Sequence, residues 1–184
     1  ETIHSQSSSD HLSPVRYTWR TSANDPNLTG VGHQPFGWNE LSALYEDYRV
    51  YGMKYRLTFV NESTTGLANC AVHIGDEDTS WSGENYEEYG DFSHQMILSP
   101  MGSGSCVKKV SGYVDVAKAF GVSKRRVAID DVFKAQRASN PVNTAKLQAL
   151  ISRHSNSGTA TDVTIHVELL YYVKLYNPEQ LNSS

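Results

Sequence analysis

The chain has 184 residues, 39% of them hydrophobic and 20% charged, a composition that can bury a core and excludes wholesale disorder. Its 16 Lys and Arg against 20 Asp and Glu give a formal charge of −4, which disfavours a stand-alone nucleic-acid binder because phosphate binding draws on clustered cations. No apolar run approaches the roughly 20 residues that a membrane-spanning helix needs.

Alternation of apolar and polar residues dominates the chain. It begins in residues 15–20 and continues over longer runs in residues 49–61 and 163–175, where most odd positions are apolar. A period of two predicts strands with one buried face. Shorter candidate strands are residues 68–74, 95–99, 106–116 and 146–153.

Helical patterns are few. Residues 38–48 place apolar side chains on one helical face, and Asn39 could cap that helix. Residues 115–120, followed by Gly121, predict one short helical turn, and residues 82–92 are a further candidate.

Seven or eight strands with so little helix predict an all-β fold, a single jelly-roll β-sandwich of two antiparallel sheets with one or two short helices in its loops. We expect this domain to cover residues 15–177. A polar N-terminal segment, residues 1–14, and a polar tail, residues 178–184, flank it.

Signals for catalysis are weak, and no enzyme activity is expected. The sequence has no nucleophile elbow, no His-Glu-x-x-His motif, no Walker loop and no dinucleotide fingerprint. Cys70 and Cys106 are expected to be reduced and buried. His73, His94 and His166 fall on predicted strands, where structural or surface roles are expected.

Asp76 and Asp78 lie in an acidic turn and are candidate Ca²⁺ ligands, because Ca²⁺ prefers several carboxylate and carbonyl oxygens. The alternative is a solvated loop, in which case the protein needs no cofactor.

The acidic excess is local. Residues 76–91 hold seven carboxylates and no Lys or Arg, so the remaining sequence has 13 acids against 16 bases. The small basic groups of that remainder are candidates for facing nucleic acid: Arg16, Arg20, Lys108, Lys109, Lys124, Arg125 and Arg126. The last three also form a weak nuclear-localisation signal.

The 11 Tyr, five Phe and three Trp mostly occupy core-facing positions. Some are candidates for contacts between subunits, where amphipathic rings are enriched. The candidate interface residues are Trp38, Tyr45, Tyr48, Tyr86, Tyr89 and Phe92. The candidate contact loops are residues 22–35, 79–92 and 127–143.

Residues 32–61 contain a Gly-His-Gln-Pro turn, a Leu-Tyr-x-x-Tyr motif and then a strand. This segment resembles capsid proteins of the circovirus-like viruses, whose genomes are circular single-stranded DNA encoding a replication initiator. Residues 107–121, with a Lys-rich strand, a short helix and a Gly, support the resemblance, as do residues 135–141. The similarity extends discontinuously over residues 16–176.

The resemblance implies a jelly roll whose copies, about 60 in a T=1 shell, enclose circular single-stranded DNA. It implies a virion protein that assembles in the host nucleus, without membrane insertion. It also implies an Arg-rich N-terminal arm facing the genome. Residues 1–12 contain no Lys or Arg and begin without Met, so either that arm lies upstream or was removed, or this member of the family packs its DNA differently.

Three other functions fit the same pattern. One is a carbohydrate- or receptor-binding sandwich such as a lectin or a cytokine-like trimer. Another is the coat protein of a small RNA virus. The third is a double-stranded β-helix enzyme, for which His166 and Glu168 form the single His-x-Asp/Glu pair on a strand.

Overall fold

The computed structural model describes residues 2–6, 14–28, 34–76, 92–154 and 162–179. These residues form nine strands, most of them where the alternation predicts them. Their bounds are β1 Thr2–Gln6, β2 Val15–Arg20, β3 Tyr45–Asn61, β4 Ala68–Gly75, β5 His94–Leu98, β6 Val107–Asp115, β7 Lys134–Gln136, β8 Lys146–Arg153 and β9 Asp162–Pro178.

The strands form two antiparallel sheets. Sheet A has the order β1-β9-β3-β6, with β7 also pairing with β3, and sheet B has the order β2-β8-β4-β5. If the short β7 is set aside, the first strand pairs with the last, the second with the second-last, and so on inward to β4 with β5. This pairing is that of a long antiparallel hairpin rolled into a sandwich, which is the jelly roll that the sequence predicts.

Within the described residues, the helices lie in the connections between strands. They are α1 Trp38–Ser42, α2 Val116–Ala119 and α3 Lys124–Ile129, followed by a 3-10 turn at Asp131–Phe133. The prediction of α2 is confirmed: the Asp115 carboxylate accepts hydrogen bonds from the amides of Ala117 at 2.9 Å and Lys118 at 3.3 Å.

The prediction of a helix over residues 38–48 is wrong beyond Ser42. From Tyr45 onward the chain pairs with β9, and this long ladder outweighs the weak helical pattern. Asn39 is not the cap either, since Gly37 takes that place with φ of 78°, a left-handed conformation that suits glycine. The candidate helix at residues 82–92 lies outside the described residues except for Phe92.

The main core lies between the two sheets. Inward-facing side chains of sheet A, such as Leu57, Phe59 and Ile165, meet Trp19 and Leu147 of sheet B, and all five are at most 1% exposed. Large apolar side chains on both inner faces drive the sheets together because packing removes their surface from water.

A second, smaller core forms because the strands differ in length. β3 and β9 have 17 residues each, whereas the strands of sheet B have five to eight, so one end of sheet A extends past sheet B. Helix α1 covers this end, and Trp38 packs edge-to-face on Tyr48 with ring centroids 4.8 Å apart. The Tyr48 hydroxyl lies 2.9 Å from Ser22 Oγ and donates to the Ser139 carbonyl.

The outer faces of the two sheets differ. On sheet B, the outward side chains of Ala71, Gln148, Leu150 and Ser152 are fully buried, and Phe92 packs against Ala71 and Leu150. Many outward side chains of β3, β6 and β9 are exposed. The outer face of sheet A is therefore more accessible to solvent than that of sheet B.

Two features depart from the expected layout of loops and termini. Thr2–Gln6 pairs with β9, although its sequence shows no apolar alternation and was not predicted as a strand. Residues 127–143 were predicted as a contact loop, but they contain the end of α3, the 3-10 turn and β7. In both places backbone hydrogen bonds to β9 or β3 create order that side-chain pattern does not reveal.

The two thiols have different environments, which corrects the expectation that both are buried. Cys70 is fully buried and burial raises its thiol pKa, whereas Cys106 is half-exposed, and neither forms a disulfide.

We predict that a thiol reagent modifies about one Cys per native chain and two in denaturant, because the thiolate is the reacting species. Mass spectrometry of the product should place the native label on Cys106. The variant Cys106→Ser should show no native labelling, and rapid labelling of Cys70 in the native chain would contradict its burial.

Candidate nucleic-acid and assembly surfaces

The outer face of sheet A brings cations and tyrosines together. Lys54 and Arg56 project from β3, Tyr113 from β6 and Tyr172 from β9, and all four are exposed. Lys54 Nζ lies 5.9 Å from the centroid of the Tyr172 ring, and the Tyr113 and Tyr172 rings pack edge-to-face 5.7 Å apart. We call the outer surface of β6, β3 and β9 the cation–tyrosine face.

Glycines make room for the tyrosine rings. A Cβ at Gly52 would collide with the hydroxyl of Tyr113, and a Cβ at Gly112 would collide with that of Tyr55 on the inner side. The Tyr113 ring therefore lies across the β3 backbone. Partial burial, with Asp115 nearby, raises the pKa of Tyr113, so its hydroxyl is neutral at physiological pH.

One buried cation anchors helix α3 at the end of this face. Arg49 is 3% exposed, and its Nη1 donates to the carbonyls of Val127 and, at 2.9 Å, Asp130. These two residues close the C-terminal end of α3, where a positive charge also complements the helix dipole.

The basic residues that the sequence predicts to face nucleic acid do not form one patch. Arg16 and Arg20 lie on sheet B, and Arg20 is held by Asp25 through its Nε and an ion pair. Lys109 is exposed opposite Thr58 on the cation–tyrosine face, whereas Lys108 alternates to the other side of β6.

The basic run Lys124–Arg126 lies exposed on α3. Lys124 Nζ is 3.7 Å from the Asp115 carboxylate, and Arg126 Nε is 3.4 Å from that of Asp130. Two of the three charges therefore have local partners.

Lys54, Arg56 and Lys174, which sequence reasoning did not select for this role, lie on the cation–tyrosine face. In the sequence these three residues occupy even positions, which alternate with the apolar odd positions of two predicted strands. That alternation could have identified them as outward-facing.

A second surface is apolar. A groove of about 400 Å³ runs between α1 and β9, and we call it the apolar groove. Phe36 is fully exposed at its rim, and Leu41 and Leu170 are 47% and 57% exposed. Its remaining lining residues are Ala23, Pro35, Trp38, Leu169, Tyr171, Val173 and Leu175.

The apolar groove borders the part of β9 that lies beyond its pairing with β1. β1 pairs with β9 over residues 162–166 only, so within the described part of the chain no strand pairs with the other edge of β9 beyond His166. Exposed apolar side chains grouped in one groove are typical of a surface that a further chain covers.

The predicted interface aromatics have different positions in the structure. Trp38 and Tyr48 are buried within the chain itself, at 5% and 0% exposure, and Trp38 forms part of the lining of the apolar groove. Tyr45 is half-buried at the start of β3, and Phe92 is half-buried against sheet B. Tyr86 and Tyr89 lie outside the described residues.

Metal-binding geometry does not form among the described residues, which contain no group of three or more His, Cys, Asp or Glu side chains able to hold an ion. Asp76 is exposed, and Asp78 is outside the described residues. His166 and Glu168 both point outward from β9, and Glu168 pairs with Arg56 at 3.1 Å. No helix within the described part of the chain is long and apolar enough to span a membrane.

No family model matches the chain, and no curated protein matches it. Among solved structures, a chain of sacbrood virus of honeybee in expansion state II is similar with a TM-score of 0.51 and 10% identity, over 100% of this chain and 85% of that chain. At this identity the likeness establishes the fold alone, and it agrees with the jelly-roll pairing of the strands.

Weaker similarities connect the chain to two other virus structures. Israel acute paralysis virus gives a TM-score of 0.49 and 9% identity over 97% of this chain and 73% of that chain. Desmodium yellow mottle tymovirus gives a TM-score of 0.43 and 11% identity over 100% of this chain and 89% of that chain.

We predict that Arg49→Met lowers the free energy of unfolding by about 2–3 kcal/mol, because the buried Val127 carbonyl and the partly buried Asp130 carbonyl lose a charged donor. Chemical denaturation measures this change. Arg125→Met, an exposed change on the same helix, should cost less than about 0.5 kcal/mol. Equal losses in both variants would contradict the anchoring role of Arg49.

Proposed function

We propose that this chain is a structural coat protein whose copies assemble into a closed icosahedral shell around a nucleic-acid genome. The observation that carries the proposal is the apolar groove between α1 and β9, with exposed Phe36, Leu41 and Leu170, on a jelly roll. A second copy of the chain would bury this surface, and repetition of the contact by symmetry would close a shell.

The fold supports this proposal from a second direction. The jelly roll is the architecture of the similar sacbrood virus chain, and viral capsid domains commonly use it. The motifs in residues 32–61 and 107–121 resemble circovirus-like capsid proteins, so the proposed genome is circular single-stranded DNA and the proposed shell has about 60 copies. A virion location with nuclear assembly belongs to the same proposal.

The coat of a small RNA virus is the closest alternative, because it would need the same fold and the same kind of interface. Sequencing the nucleic acid that co-purifies with particles, with and without deoxyribonuclease treatment, separates the two. The lectin-like and metalloenzyme alternatives find no metal-binding group in the described residues to support them.

We predict that the double substitution of Phe36→Ser and Leu41→Ser abolishes shell formation while the subunit stays folded, because both side chains are exposed on the apolar groove. Electron microscopy and analytical ultracentrifugation measure assembly, and circular dichroism measures folding. The groove variant should sediment as small species under conditions in which the unchanged chain forms particles.

Ile97→Ser is the matched control, since Ile97 is an apolar side chain of β5 with 49% exposure outside the groove. This variant should assemble normally. Shells of normal yield from the groove variant would overturn the role of the groove. Absence of shells from the unchanged chain under all conditions would overturn the coat-protein proposal.

A further inference from the structure

The cations of the cation–tyrosine face follow one path across the sheet. Strand pairing places Lys109 beside Thr58, then Arg56, then Lys54 on successive outward positions, and Lys174 further along beside Arg49. Alternate residues of a strand are about 7 Å apart. This is the scale of the separation between successive phosphates in an extended single strand of nucleic acid.

Exposed rings lie along the same path. Lys54 pairs with Tyr113 on one side and Leu170 on the other, and the next outward position carries Tyr172. Tyr113 and Tyr172 are 44% and 40% exposed, so part of each ring is open to solvent. Their mutual edge-to-face contact holds the rings at fixed angles, at which a base can stack on the open part of a ring.

The local charge favours an anion. Four exposed cations lie on this face, and Glu168 among them pairs with Arg56 in an exposed ion pair that costs little to rearrange. Asp162 is exposed at the far end of β9, and Asp47 at the other end pairs with Lys134. Asp115 accepts the amides at the start of α2 and lies near Lys124. The net charge of −4 for the whole chain therefore does not describe this surface.

The face also contains a groove large enough for a ligand. A groove of about 560 Å³ on this face has Lys54, Arg56, Ser111, Tyr113, Glu168 and Leu170 among its lining residues. This volume lies within the range of clefts that hold nucleotide-sized ligands. A wholly apolar or wholly charged surface would not offer both phosphate contacts and stacking.

We propose that the cation–tyrosine face is a binding site for single-stranded nucleic acid, in which bases stack on Tyr113 and Tyr172 while Lys54, Arg56, Lys109 and Lys174 contact phosphates. This site deepens the proposed coat function and rests on it, because it gives the shell subunit a genome contact within the folded domain. Stacking on tyrosine is tolerant of base sequence, as packaging of a whole genome requires.

The test measures binding of fluorescent 12-nucleotide probes to the full chain at concentrations where ultracentrifugation shows it unassembled. Oligodeoxyuridylate and oligouridylate supply the same base on the two sugars, and an abasic sugar-phosphate strand of equal length supplies phosphates alone. We expect at least one base-containing probe to bind about tenfold or more tightly than the abasic strand.

Substitutions separate stacking from charge. Tyr172→Ala and Tyr113→Ala should each weaken binding of the favoured base-containing probe by about fivefold or more and leave the abasic strand unaffected, whereas Tyr172→Phe should retain binding. Lys54→Gln should reduce the dependence of log K on log salt by about 0.7, and Lys118→Gln, an exposed change on α2, should not.

Equal affinity for base-containing and abasic strands, or unchanged affinity in both Tyr→Ala variants with normal circular dichroism, would overturn the proposal. A difference between the two sugars identifies the kind of nucleic acid that the site prefers. Because the measurement uses unassembled chains, failure to form shells would overturn the coat function without affecting the binding result. Normal shells without tyrosine-dependent binding would overturn the site alone.

Discussion

The pairing of β3 with β9 is the interaction on which the rest of the structure depends. Two strands of 17 residues pair from Asn61 and Val163 at one end to Tyr45 and Pro178 at the other, with one irregularity between Val50 and Gly52. Their inward side chains supply much of the main core and the second core under α1. Their outward side chains supply most of the cation–tyrosine face. One ladder thus sets the stability and the surface chemistry together.

The unequal lengths of the two sheets explain where the apolar groove lies. Because sheet B is shorter, the far ends of β3 and β9 would expose apolar side chains such as Val50 and Val173 if nothing covered them. Helix α1 and residues 22–28 cover part of this surface, and Trp38 closes over Tyr48. The part that they leave open, with Phe36 at its rim, is the surface that the coat-protein proposal assigns to another copy.

The charge of this protein is organised by position. Residues 76–91 hold seven acids, whereas the cation–tyrosine face holds four exposed cations, with Glu168 paired to Arg56 among them and Asp162 exposed at the end of β9. Electrostatic attraction to a polyanion is screened over about 10 Å at moderate ionic strength. Binding of phosphate therefore depends on the local face more than on the sum over the chain.

Much of the fold could be predicted from the sequence. Apolar and polar residues alternate with a period of two in residues 49–61 and 163–175, and this pattern is visible without knowing which strands pair. The short helix at residues 115–120 was equally visible from Asp115 and Gly121. The strand at Thr2–Gln6 could not be predicted from the sequence, because it depends on pairing with β9. The early end of α1 could not be predicted either, because pairing of β3 with β9 from Tyr45 onward replaces the helix there.

The candidate surfaces were decided by tertiary structure for the same reason. The sequence around a basic or aromatic residue does not reveal which residues of the adjacent strands lie beside it in the sheet. Pairing separated Arg20 from Lys109 and brought Lys54 next to Tyr172, more than 100 positions away. The sequence alone determined the jelly roll and the local nature of the acidic excess, since these follow from pattern and composition. Tertiary structure alone decided which cations and rings share a face, since that depends on strand register.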